Sequence, residues 1–136
     1  MTETTSLARV RPLSLVALIA ATAGAVTLAL MPHPPSVGHV SDKWQHMFAF
    51  GTLTILSVLA FPATSLLRIG ERMSFLGALI EVFQSIPSLH RDCDVMDWLA
   101  DTLIIVAVLA VIVVSRRLAA RVPAAQPRRS ALHRRA

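Results

Sequence analysis

Four stretches of this chain, residues 13–31, 44–61, 73–86 and 98–114, are almost wholly apolar and are separated by proline, glycine and charged residues. A helix packed in a water-soluble core keeps a polar face, and blocks this continuous leave none. A helix that crosses a bilayer needs about 20 apolar residues, each adding about 1.5 Å of rise. The first, second and fourth blocks approach that length with almost no charge at their centres, whereas the third is shorter and carries Glu81 and Gln84. A composition 54% hydrophobic and 15% charged, with a mean hydropathy of +0.62, points the same way. The expected fold class is all-α, an integral membrane four-helix bundle with spans at about 13–31, 44–61, 72–86 and 96–114.

Orientation follows from the arginines. With the N-terminus inside, the inner segments collect Arg9, Arg11, Arg68, Arg72, Arg116, Arg117, Arg121 and the tail residues Arg128, Arg129, Arg134 and Arg135, against only Lys43 and Arg91 outside. Basic residues near span ends set topology, so the expectation is N-in and C-in. Residues 1–11 form a cytoplasmic N-terminus, 12–114 the transmembrane domain and 115–136 a basic, disordered cytoplasmic tail lying against anionic lipid. The alternative for the first block is a cleaved signal peptide behind Arg9 and Arg11, but the block is longer than the usual h-region of about 7 to 15 residues. The net charge of +5 does not indicate nucleic acid, because the basic residues flank apolar blocks and are not interleaved with aromatics. Cys93 is the single cysteine, which excludes an internal disulfide and a C-x-x-C site. No cofactor is expected.

Between the blocks, residues 32–41 make a Pro-rich outer loop, Ser41 or Asp42 caps the second helix, and residues 63–72 are either an amphipathic turn or the start of the third helix. Asp94 followed by Asp97 has the spacing of a capping box at the head of the fourth.

Ionisable groups inside spans cost about 2.5 to 3.5 kcal/mol on insertion scales, so each needs a partner or a purpose. Asp42, Gln45 and His46 share one side of the second helix, Glu81 and Gln84 a face of the third, and Asp94, Asp97 and Asp101 a face of the fourth. Counted from the outer helix ends, Glu81 lies about 8 Å below Ile86, and Asp101 roughly 10 Å below Asp94. Three polar faces at one depth are best accommodated by turning inward to a shared pocket at the outer end. Capping accounts equally well for Asp42, Asp94 and Asp97, and an interfacial position for His46. For Glu81 and Asp101 the structural alternative is an interhelical hydrogen bond.

Residues 42–50 (DKWQHMFAF), 81–84 (EVFQ) and 91–102 (RDCDVMDWLADT) together resemble the pattern of the VanZ-like family. That family has Asp-Lys-x-x-His at the head of one helix, Glu-x-x-Gln late in the next, and Arg and Asp leading into the last. By position, the resemblance implies polar family sites at Asp42, Lys43, His46, Glu81, Gln84, Arg91 and Asp97, and the pocket reading adds Asp101. Many members continue as Asn-Thr-x-Gly, whereas this chain reads Asp101, Thr102, Leu103, Ile104, so the small residue that allows close helix approach is missing there.

The resemblance implies a cell-envelope protein of the inner (plasma) membrane associated with low-level teicoplanin-type glycopeptide resistance. The expected partners are membrane lipids and an envelope lipid-linked ligand or glycopeptide held in the pocket. Lys43, His46 and Arg91 would meet an anionic group there, and the carboxylates would meet amines or hydroxyls. One alternative is a small membrane enzyme with Glu81 or Asp101 as general base and His46 as acid, though no recognised catalytic motif accompanies them. Another is a structural assembly subunit. A metal site of His46, Glu81, Asp97 and Asp101 is conceivable, but nothing in the spacing fixes its geometry, and no metal is expected. On this topology a reporter fused after residue 136 is cytoplasmic and one in the loop 88–93 extracytoplasmic; protease attack on the tail from outside intact cells would contradict it.

Overall fold

In the computed structural model, which describes residues 2–32, 42–91 and 93–121 (without the side chains of 2–9 and 42), the chain is helical almost throughout. The helices are α1 (Thr2–Leu30), α2 (Asp42–Ala60), α3 (Leu66–Gln84) and α4 (Val95–Arg121), with a single 3₁₀ turn, Pro87–Leu89, between the last two. The expected all-α class holds. Two helical segments, Val10–Leu30 and Val95–Arg121, are long and apolar enough to cross a membrane.

Several boundaries differ from those read off hydropathy, each for a local reason. Helix α1 starts at Thr2 rather than near residue 13 and runs through Pro12. Residues 63–72 resolve into a turn and a helix start: Thr64 N–H bonds to Phe61 O, and Ser65 is the N-cap, its Oγ accepting from Arg68 N–H at 3.4 Å. Helix α3 ends at Gln84, before Pro87, and His90 turns the chain in the left-handed region (φ 49°). Helix α4 does not stop at residue 114 but runs on to Arg121, because Arg, Leu and Ala are strong helix formers. Its 27 residues are roughly 40 Å long, more than a hydrocarbon core of about 30 Å requires. The prolines and histidines of the expected outer loop at 33–41, and the tail from 122, lie outside the described residues.

Helix α2 is the hub, packing against α1, α3 and α4, while α3 also lies along α4. Close approach along α4 comes from glycines on its neighbours. A Cβ on Gly77 would stand 3.4 Å from Trp98 Cδ1 and 3.6 Å from Asp101 Oδ2, one on Gly70 only 3.0 Å from Leu109 Cδ1, and one on Gly51 3.5 Å from Ile104 Cγ1. The small residue absent at Ile104 is thus supplied from the facing helices. One buried cluster joins Ala29, Phe50, Ile80 and Ile105 across all four helices. A second joins Leu18 of α1 to Leu53 and Ala60 of α2.

Polar residues are buried alongside these: Thr54, Ser57, His46, Glu81, Gln84 and Asp101. Thr54 Oγ1 donates to Phe50 O at 2.7 Å within its own helix. Between helices, Ser74 Oγ and Thr102 Oγ1 are 2.8 Å apart, and Trp98 Nε1 donates to Ser74 O at 3.1 Å. Meanwhile the outward surface carries Leu13, Val16, Ile19, Phe48, Phe75, Leu103 and Val111, and Phe48 is 78% exposed where Asp101 is 1% exposed.

Gln84 secures α1. The last carbonyls of a helix have no intrahelical donor, and Gln84 Nε2 reaches 55 residues back in sequence to donate to Ala29 O at 2.9 Å. Gln84→Ala should therefore leave a buried carbonyl unsatisfied and cost about 1–3 kcal/mol. Thermal unfolding in detergent should show a clearly lowered midpoint, and an unchanged one would mean that α1 does not depend on this bond.

Candidate functional site

The first turn of α2, the last of α3 and the first of α4 lie at the same end of the bundle, and most of the expected site residues gather there. On α2, Lys43 and His46 are three apart and so face one way. On α4, Asp94 stands just before the first helical residue, and Asp97 and Asp101 follow one and two turns later. These two faces meet. Lys43 Nζ lies 3.4 Å from Asp97 Oδ1 and 3.9 Å from Asp94 Oδ2, and His46 Nδ1 lies 3.5 Å from Asp101 Oδ2. The lysine pair is half-exposed at the rim and the histidine pair is buried beneath it.

Glu81 arrives from α3. Its Oε2 accepts the Asp94 backbone N–H at 2.9 Å, while Asp94 Oδ1 accepts from Met96 N–H at 2.9 Å. Asp94 is thus the N-cap, as its position implied. The reciprocal bond expected from Asp97 is absent, because Glu81 has taken the donor that a capping box would use and Asp97 has turned to Lys43. An anionic group from one helix therefore completes the positive end of another.

Among the described residues the carboxylates at this end outnumber the cationic side chains. Glu81, Asp94, Asp97 and Asp101 face Lys43 and His46, with Arg91 half-buried in the turn leading into α4. Glu81 Oε1 and Asp101 Oδ1 are fully buried and accept no hydrogen bond among the described residues. Cys93 sits on the same turn, and its thiol pKa is raised, first by desolvation and then by the negative charge of Glu81 and Asp94. That is the opposite of the shift that activates a thiol.

Gln84 spends its Nε2 on α1 instead of on the pocket. Asp42 opens α2, but its side chain lies outside the described residues. Among the described residues no group of three or more His, Cys, Asp or Glu side chains is placed to hold a metal ion. The contact that sequence reading missed is the Glu81 to Asp94 N–H bond. The sequence signal for it is an acidic residue late in α3, shortly before a helix start that carries a cap of its own in Asp94.

Comparison with protein-family models, curated proteins and solved structures gave no match. The resemblance drawn from the motifs therefore rests on those residues themselves.

The charge at Glu81 is testable through Cys93. Glu81→Gln removes a negative charge beside the thiol, which lowers its pKa and raises the thiolate fraction at fixed pH. Alkylation of Cys93 by iodoacetamide near pH 8 should speed up by about two- to tenfold. An unchanged rate would show that the two groups do not interact.

Proposed function

We propose that this chain is a multi-pass membrane protein of VanZ-like type whose end cluster binds a cell-envelope component on the extracytoplasmic side. What carries the reading is the inversion of polarity. Large apolar side chains such as Phe48, Phe75 and Leu103 point outward while Glu81, Asp101 and His46 point inward. In water such a surface would exceed the apolar patches that monomeric proteins tolerate, whereas in a bilayer it is the expected arrangement. The arginine distribution supports an N-in, C-in orientation, with Arg68, Arg72, Arg116 and Arg117 exposed at the opposite end from the carboxylates. The motif resemblance implies a contribution to teicoplanin-type glycopeptide resistance in the cell.

A second reading is favoured by one observation, the buried His46–Asp101 pair. An imidazole oriented by a carboxylate is the arrangement used for proton transfer, and Glu81 would serve beside it as base. In that case turnover of a lipid-linked substrate is lost in Glu81→Gln without loss of binding.

Native mass spectrometry of the protein in native-lipid nanodiscs tests the first reading. A co-purifying molecule should be kept by Asp94→Ala, which costs about 0.5–2 kcal/mol of capping, and lost from Glu81→Ala and Asp101→Ala. Recovery of the wild-type chain in the soluble fraction, or equal retention by all three variants, would contradict it.

A further inference from the structure

We propose that the outward face of α3 is a pairing surface for a second copy of this chain, side by side in the same membrane. The proposal rests on the membrane reading above and is independent of the end cluster. Among the described residues, the outward faces of α1, α2 and α4 carry no charge between their ends, so hydrocarbon suits them. The face of α3 breaks that pattern. Phe75, Leu79 and Val82 lie exposed along it, and the exposed Arg68, Glu71 and Arg72 interrupt its inner part.

Depth makes Glu71 the residue that has to be answered. A Cβ on the neighbouring Gly70 would stand 3.0 Å from Leu109 Cδ1 and 3.9 Å from Ile105 Cγ2. Glu71 therefore lies beside the apolar run of α4, about 9 Å along the helix from Ser115 at about 1.5 Å per residue. A charge facing lipid at that depth is costly. Arg68, a turn nearer the inner surface, has a long stem that carries its charge to the headgroups, but Glu71 is short and Arg72 lies deeper still. Among the described residues Glu71 forms no ion pair.

The placement of the charges selects the partner. Successive residues on a helix are about 100° apart, which puts Arg68 and Phe75 on one line down the outward face, with Glu71 to one side of it and Arg72 to the other. A two-fold axis parallel to the bilayer normal and set over that line brings the left side of each copy against the right side of the other at equal depth. Glu71 of each copy then meets the partner's Arg72, in two reciprocal ion pairs, and Phe75, Leu79 and Val82 pack along the same line towards the outer end. An anionic lipid would answer Arg72 and leave Glu71, whereas a second copy answers both.

The test is a charge swap. Two full-length copies with different epitope tags are co-expressed, extracted from the membrane fraction in mild detergent and captured through one tag. Wild-type copies should co-purify. Glu71→Arg paired with itself, and Arg72→Glu paired with itself, set like charges against each other and should lose about tenfold or more of the captured partner. Glu71→Arg paired with Arg72→Glu should recover it, because the two arginines of one copy then face the two glutamates of the other. Wild-type copies that do not co-purify, or a mixed pair recovered no better than either variant alone, would overturn the proposal.

Should the charge variants fail to accumulate, cross-linking of the otherwise native face decides. In a Cys93→Ser chain, Phe75→Cys on the proposed surface is compared with Leu103→Cys on the outward face of α4, each treated with a bismaleimide in native membranes. A cross-linked dimer should form through Phe75→Cys and far less through Leu103→Cys; equal yields at the two positions, or none at Phe75→Cys, would overturn the proposal. A chain that fractionates with membranes as a monomer loses the pairing surface and keeps the membrane reading, whereas a soluble chain loses both.

Discussion

A carboxylate withdrawn from water has to be answered by charge or by hydrogen bonds, and the arrangement of α2, α3 and α4 follows from that requirement. Glu81 is answered by the free N–H at the head of α4, and Asp101 by His46 of α2. Neither answer is available within the helix that carries the acid. Each therefore fixes one helix against another at a defined height, which the nonspecific packing of Leu, Val and Ile cannot do. Below this level Gly77 and Gly70 let α3 close on α4, and the Ser74–Thr102–Trp98 bonds fix the same pair again. The polar contacts set register and the apolar ones fill volume.

The helical class and the approximate position of each helix were legible because continuous apolar blocks and prolines are one-dimensional signals. So was the sharing of one end by Lys43, His46, Glu81, Asp97 and Asp101, since helical periodicity and the cost of charge act on residue number alone. Pairing was not legible. The sequence offers Asp97 as a local partner for the Asp94 N–H, and only the approach of α3 shows that Glu81 is the stronger claimant. The bond from Gln84 to α1 was not legible for the same reason, as an amide three residues from Glu81 looks like part of one site until the end of α1 is seen to lie beside it. The run of α4 to Arg121 escaped hydropathy because helix propensity persists where apolarity stops.

The two ends of the bundle now differ in kind. At one, acidic groups are drawn inward and largely matched; at the other, Arg68, Arg72, Arg116, Arg117 and Arg121 remain outward and exposed. Such a molecule is strongly polarised along its axis.

The bond from Gln84 to Ala29 also bears on how the chain is made. A ribosome delivers α1 long before α3, and until Gln84 has emerged the carbonyl at the end of α1 lacks the donor that the finished protein gives it. Its first helix is thus left provisional during synthesis and is completed only by the third, a retroactive closure that ties the earliest segment to the success of a later one.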